Sequence, residues 1–264
     1  MWTDALTPVR ILLRGIGLLL LCLVWLLPTV ICQGAAGQAI HVGRRTLAEF
    51  MLNAWSGMLS RVFGVRPRVT GLPLAGPVLL VANHISWLDI IALHSVAAMS
   101  FVAKAEIEEW PLAGFLATRG ATIYHRRGDH DSASGVVAQM VAKLESGGRV
   151  AIFAEGGILP GEQIKRFHAR LFKVAVEVDC PVQPVMIRYL RKGRRDPELT
   201  FLRGESFGVN LLRLLGRPRS IADLRFLEPF AASGRQRRDL AEQAQRAVEN
   251  AYSNPTDEGL LSDD

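Results

Sequence analysis

Val78-Leu79-Leu80-Val81-Ala82-Asn83-His84-Ile85-Ser86-Trp87-Leu88-Asp89 joins an apolar run to a polar turn and to the opening of a second apolar pattern. The run of five reads as a strand, and the residues after it read as a turn into a helix. Within this stretch an imidazole and a carboxylate, His84 and Asp89, stand five residues apart. On one continuous helix they would point about 140° apart and could not easily meet. A strand ending near Asn83 and a helix opening near Ser86 remove that difficulty, because the turn carries His84 back over Asp89. A histidine oriented by a carboxylate is suited to taking a proton from a hydroxyl group. The same residues have a second reading. Ser86-Trp87-Leu88-Asp89 matches S-x-x-D, a capping box in which Asp89 reaches back to the first backbone N–H groups and His84 is an ordinary loop residue.

Outward from this stretch, strand patterns recur at residues 100–103, 121–124, 150–154, 182–189, 200–203 and 221–226, with helical patterns at 90–98, 132–146 and 167–178. The alternation predicts an α/β fold, a mixed central sheet flanked by helices, with its sites at strand ends. Residues 47–62 have helical apolar spacing, which suits either a helix on an anionic surface or one packed in the core. Ser233-Gly234-Arg235-Gln236 reads as a capping box opening a last helix that reaches Tyr252. The chain thus divides into an anchor at 1–45, an amphipathic helix and linker at 46–76, a main domain at 77–252 and a disordered acidic tail at 253–264.

The 264 residues are 49% hydrophobic and carry a net charge of +6. Such a balance suits an anionic partner, a bilayer surface or a nucleic acid. The basic stretches lack interleaved aromatics and nucleic-acid motifs, which favours the bilayer and argues for no nucleic-acid partner. Cys22, Cys32 and Cys180 have neither disulfide-framework nor zinc spacing. From Gly15 to Gly43 there is no Asp, Glu, Lys or Arg, and an 18-residue helix within it reaches roughly 27 Å, near the thickness of a bilayer core. Arg10 and Arg14 precede the run and Arg44 and Arg45 follow it, so charge does not orient it. A retained anchor is the preferred reading. The alternatives are a helix broken at Pro28 that lies in one leaflet, and a cleaved signal segment ending near Gly34-Ala35-Ala36.

Three more segments carry chemistry. Gly120 to Arg127 is a short strand ending in two guanidiniums, Arg126 and Arg127, which can clamp a phosphate or simply form a solvated turn. The strand at 150–154 opens onto Glu155-Gly156-Gly157, where glycines allow close backbone approach to a ligand and offer N–H groups to an anion. Cys180-Pro181-Val182-Gln183-Pro184-Val185 is an apolar strand whose two prolines suit a sheet edge or a bulge.

In this order the four segments resemble the four sequence blocks of the glycerolipid acyltransferase family, which includes the lysophosphatidic acid acyltransferases. Asn83, His84 and Asp89 match the first block, Gly120 and Arg126 the second, and Pro181 and Pro184 the fourth. The third, usually Phe-Pro-Glu-Gly-Thr-Arg, here reads Phe153-Ala154-Glu155-Gly156-Gly157-Ile158. In that family the arginine helps hold the acceptor's phosphate. Its loss leaves Arg126, with Arg127, Lys165 or Arg166, to hold an anion, or else marks an acceptor without a glycerol phosphate.

The resemblance implies a membrane-associated O-acyltransferase of phospholipid biosynthesis. It would move an acyl chain from a thioester donor, acyl-CoA or acyl carrier protein, to the free hydroxyl of a lysolipid such as lysophosphatidic acid. Two alternatives are a lyso-ornithine lipid acceptor and a non-catalytic, membrane-anchored binding protein. His84 is the implied general base and Asp89 its orienting carboxylate. Asn83, Gly120, Arg126, Glu155, Gly156 and Gly157 are the implied substrate-binding residues, with oxyanion donors near Gly156-Gly157. Neither metal nor redox cofactor is required, and the implied location is the bacterial inner membrane with the site at its cytoplasmic face. A hydrolase is the enzymatic rival, because Gly204-Glu205-Ser206-Phe207-Gly208 matches G-x-S-x-G. That fold needs a histidine after the serine, and all six histidines precede Ser206, so the match is read as coincidence.

Overall fold

A computed structural model describes residues 4–109, 114, 117, 118, 120, 122–125, 130–158, 163–202 and 204–254, the side chains of 130–134 excepted. Its strands are β1 (His41–Val42), β2 (Arg45–Thr46), β3 (Val65–Thr70), β4 (Val78–Ala82), β5 (Ser100–Lys104), β6 (Ile123–His125), β7 (Arg149–Phe153), β8 (Val182–Arg191), β9 (Arg194–Arg195) and β10 (Ser220–Phe226). Its helices are α1 (Thr7–Cys32), α2 (Ala35–Ala39), α3 (Leu47–Val62), α4 (Leu88–His94), α5 (His130–Glu145), α6 (Lys173–Val178), α7 (Phe207–Gly216) and α8 (Arg237–Ser253). The main sheet runs β3-β10-β8-β4-β7-β5-β6, with β9 folded onto β8. Neighbours are parallel except β10–β8 and β8–β9, so the sheet is mixed, and helices flank it as the alternation of patterns predicts.

β4 lies in the middle and is buried along its whole length. The two-residue period of a strand splits its side chains between the layers. Leu79 and Val81 join Met140, Leu144, Leu240 and Val248 of α5 and α8. Val78, Leu80 and Ala82 join Trp55 and Leu59 of α3, Leu88 and Leu93 of α4, and Leu214 of α7. Each fully buried leucine contributes roughly 2 kcal/mol from removal of apolar surface from water. α3 opens with a reciprocal capping box. Thr46 Oγ1 accepts from Glu49 N at 3.2 Å, and Glu49 Oε2 accepts from Thr46 N at 3.0 Å. With Trp55 and Leu59 in the core, α3 is a packing helix, the second of the two readings its spacing allowed.

Several local expectations change. Residues 65–70, expected within a linker, form edge strand β3, parallel to β10, and Pro67 is tolerated at this edge of the sheet. Residues 200–202 are not a strand; Pro197 opens a 3-10 turn, Pro197–Leu199, before them. Pro184 lies in a central strand rather than at an edge. The β10 ladder begins one residue later, at Val185 opposite Phe226, so no N–H is needed at 184, while its carbonyl accepts from Leu227 N at 2.9 Å. α8 begins at Arg237 without a side-chain cap, because Gly234 turns with φ +69° where the box was expected.

α1 is continuous through Pro28, against the reading in which proline breaks it. Proline cannot donate to the carbonyl four residues back, and the π-helical turn Cys22–Leu26 immediately before it loosens the ladder there. One side of α1 packs on the domain through Ile11, Leu18, Leu21, Trp25 and Leu26. Arg14 Nη1 donates to the carbonyls of Leu215 (3.0 Å) and Arg217 (2.7 Å), and Arg10 Nη1 to that of Gly216 (3.4 Å). These carbonyls end α7, where unmet acceptors and the helix dipole favour cations. The other side of α1, including Leu12, Leu13, Ile16, Leu20, Leu23 and Leu27, is bare.

His94 at the end of α4 is buried, edge-on to Phe101, and its Nδ1 has no hydrogen-bond partner. Burial lowers its pKa from 6.5 to about 4, so the folded state holds it neutral. The unfolded chain takes up this proton near pH 6.5 and the folded chain only near pH 4. Stability from this group is therefore complete above pH 6.5 and falls on acidification across that window, by on the order of 3 kcal/mol. Thermal unfolding of His94→Phe in detergent should lose less stability between pH 6.5 and 4 than wild type; equal losses would contradict the assignment.

Candidate active site

The loop between β4 and α4 holds its shape through one carboxylate. Asp89 sits in the first turn of α4 with its side chain fully buried. Its Oδ2 accepts from Ile85 N (2.7 Å), Ser86 N (3.0 Å) and His84 Nδ1 (2.8 Å), and its Oδ1 accepts from the Tyr189 hydroxyl (2.7 Å). Both readings of S-x-x-D thus coexist, since the group that reaches back to the turn also holds the imidazole. Ser86 Oγ accepts from Leu88 N at 3.4 Å rather than from Asp89 N, so the box is only half formed.

The His84 ring lies flat on Phe153 at the end of β7, with centroids 3.7 Å apart and an 8° interplanar angle. With Nδ1 on Asp89, the remaining nitrogen is Nε2, which has no partner among the described residues. His84 lines an open cleft with Asn83, Glu155, Gln163, Tyr189, Arg195 and Thr200 among its walls. The cleft stands outside the carboxyl ends of β4 and β7, the edge where open α/β sheets place ligands. Trp87 fastens the loop from the other side, donating from Nε1 to Asn210 Oδ1 at 2.9 Å and meeting Phe63 edge-on.

The remaining sequence candidates separate. Glu155 is nearly buried and accepts from His84 N (2.8 Å) through Oε1 and from Lys165 N (3.0 Å) through Oε2, tying the β4 and β7 ends to the 163–168 segment. Burial raises its pKa above the ordinary carboxylate value, opposed by those two N–H groups. Asn83, expected to touch substrate, spends both ends of its amide on Ile187, donating to its carbonyl and accepting from its N–H, each at 2.8 Å. It is a strut between β4 and β8. Gly156 turns with φ +75°, and a Cβ there would stand 3.3 Å from the His168 ring. Its N–H donates to Phe153 O at 3.1 Å and so is not open to an oxyanion. Gly157 follows it, half-buried.

Gly120, expected beside the anion site, is not brought to His84. It lines a second cavity with Ser100 and Arg149, where β5 and β7 begin, the opposite edge of the sheet from His84. A five-residue strand separates those edges by roughly 16 Å. Arg126 and Arg127 lie outside the described residues. Ser206 of the G-x-S-x-G match caps α7, accepting from Val209 N at 3.4 Å, while its neighbour Glu205 pairs with Arg213. Tyr189 was not singled out from sequence; an aromatic in an apolar strand reads as core, and nothing local marks its hydroxyl.

Residues 66–188 match the family model described as Acyltransferase. The lyso-ornithine lipid O-acyltransferase of Pseudomonas aeruginosa is 38% identical over 202 residues, covering 76% of this chain and 78% of that one. The 1-acyl-sn-glycerol-3-phosphate acyltransferase of Neisseria gonorrhoeae is 34% identical over 112 residues, 42% of this chain and 44% of its own. The crystal structure of the 1-acyl-sn-glycerophosphate (LPA) acyltransferase PlsC from Thermotoga maritima shares the fold, with a TM-score of 0.64 over 94% of this chain and 98% of that chain, at 20% identity. Together these define an acyltransferase. The chain belongs to the glycerolipid acyltransferase family.

The strut is open to test. Asn83→Ala leaves two buried backbone groups of Ile187 without partners, at about 1–3 kcal/mol each. The variant should unfold several degrees below wild type in a detergent melt, with the unfolding temperature unchanged if Asn83 serves substrate alone.

Proposed function

We propose that this enzyme transfers an acyl chain from a thioester to the free hydroxyl of a lysolipid, with His84 as general base. The observation that carries the proposal is the His84–Asp89 pair, which leaves Nε2 at the cleft. His84 Nε2 takes the hydroxyl proton as that oxygen attacks the thioester carbonyl. Asp89 holds the proton on Nδ1 and stabilises the imidazolium that forms. The C–O bond forms, the C–S bond breaks, and the proton passes from His84 to the departing sulfur. The acceptor hydroxyl is itself the nucleophile, so no acyl-enzyme is needed. Glu155 and Asn83 act here by fixing the loop ends rather than by holding lipid.

For the acceptor, we favour a lyso-ornithine-type lipid. Ile158 stands where the family's phosphate-holding arginine is expected, and the relative from Pseudomonas aeruginosa is a lyso-ornithine lipid O-acyltransferase. The donor chemistry is a fatty acyl thioester, from coenzyme A or from acyl carrier protein. We propose further that α1 is retained and that its bare side rests in the bilayer. Val209 and Leu212 of α7, the helix it docks against, are exposed as well. Since both donors are made in the cytoplasm, the site would face that side of the inner membrane.

Purified wild type, His84→Ala and Asp89→Asn should be assayed with lyso-ornithine lipid and with lysophosphatidic acid, each with acyl-CoA and with acyl carrier protein. Wild type should acylate the first acceptor faster, and both variants should lose activity by about 10²- to 10⁴-fold. In cells, His84→Ala should accumulate the lysolipid and lose its diacyl product by lipid mass spectrometry. Preference for lysophosphatidic acid would overturn the acceptor assignment; unchanged lipids in the cell would overturn the transfer itself.

A further inference from the structure

We infer that Tyr189 is a positioning residue of the His84–Asp89 pair, its hydroxyl on Asp89 Oδ1 setting how strongly the pair attracts a proton. This rests on the reading of His84 as the base. Asp89 carries its charge inside the protein with no Lys or Arg beside it among the described residues. Three donors crowd Oδ2, and among the described residues the Tyr189 hydroxyl is the one partner of Oδ1, at 2.7 Å. A buried carboxylate oxygen left without a donor is costly, so this contact governs how the charge is shared between the two oxygens.

Tyr189 is also held in place for the task. Strand alternation turns Val185, Ile187 and Tyr189 to the layer that contains α4. Asn83 clamps Ile187, two residues before Tyr189, from both its N–H and its carbonyl. On the other side, Asp196 N donates to Tyr189 O at 2.9 Å from the start of the segment after β9. The same asparagine therefore sets the end of β4, where His84 begins, and the register of the tyrosine that reaches Asp89. Burial, and then the charge of Asp89, keep the phenol protonated far above neutral pH, so it is always the donor.

The consequence has a sign. A donor on Oδ1 draws negative charge away from Oδ2, the oxygen facing His84 Nδ1. Without it the carboxylate stabilises the imidazolium more, and the pair takes up its proton at higher pH. A base already protonated cannot accept the acceptor's hydroxyl proton. Among the described residues, the titratable and charged groups facing the pair are Glu155, through His84 N, Tyr189 itself, and Arg195, Asp196 and Tyr252, which line the same cleft as His84.

The test is the pH dependence of kcat/KM for the full-length enzyme in three forms: wild type, Tyr189→Phe, and enzyme with 3,5-difluorotyrosine in place of Tyr189. The fluorinated phenol keeps the shape and is a stronger donor. Tyr189→Phe should move the acid limb up by about 0.5–1 pH unit and lower kcat at neutral pH by up to about 3- to 10-fold, with the lysolipid KM within about twofold. The fluorinated enzyme should move the limb the other way. A limb that stays in place in the fluorinated enzyme, or moves up with it, overturns the inference even where Tyr189→Phe fails to fold. His84→Ala, run alongside, keeps the two claims apart. If His84→Ala stays active, the base assignment itself falls. If it is inactive while the limb does not respond at 189, only the role of Tyr189 falls.

Discussion

A buried carboxylate organises this molecule. Removing the Asp89 charge from water is tolerable only because every donor it needs converges on it: two amides of its own loop, the imidazole and a phenol from a strand a hundred residues away. Each donor then inherits a fixed position. The amides define the turn out of β4, the imidazole is turned so that its other nitrogen meets the cleft, and β8 must keep its register for the phenol to arrive. The Asn83–Ile187 pair and the Glu155 bridge brace the same junction from either side.

The apolar helix at the N-terminus obeys a second constraint. Its two arginines would be costly next to lipid; both reach the last carbonyls of α7, and Arg10 also pairs with Asp4. That contact sorts the helix into a side committed to the domain and a side that protein does not cover. The cleft and the bare apolar face thus belong to one framework, which suits an enzyme whose acceptor is itself a lipid.

Much of this was legible in the chain. The apolar run before Asn83, the strand at 150–154 and the spacing of His84 and Asp89 each act locally, so a strand, a turn and a meeting of side chains can be read without long-range information. What escaped depends on contacts far apart in sequence. Residues 65–70 alternate too weakly, around Pro67, to announce an edge strand. Pro184 looked like an edge residue because the offset of β10 by one position cannot be seen in one segment. Gly120 was read beside the anion site from its place in the second block, but the sheet carries it to the edge where β5 and β7 begin. Tyr189 shows how an apolar context hides a polar duty. The capping pattern misled in another way, since it posed as a rival to chemistry when one carboxylate serves both.

The orientation of His84 is the point on which the chemistry turns. It is read most directly by ¹⁵N NMR of the imidazole in full-length enzyme at neutral pH in detergent. The expected result is a proton on Nδ1 with Nε2 bare, an assignment that disappears in Asp89→Asn. A neutral ring carrying its proton on Nε2 would contradict it, because that nitrogen then has no lone pair to take the hydroxyl proton.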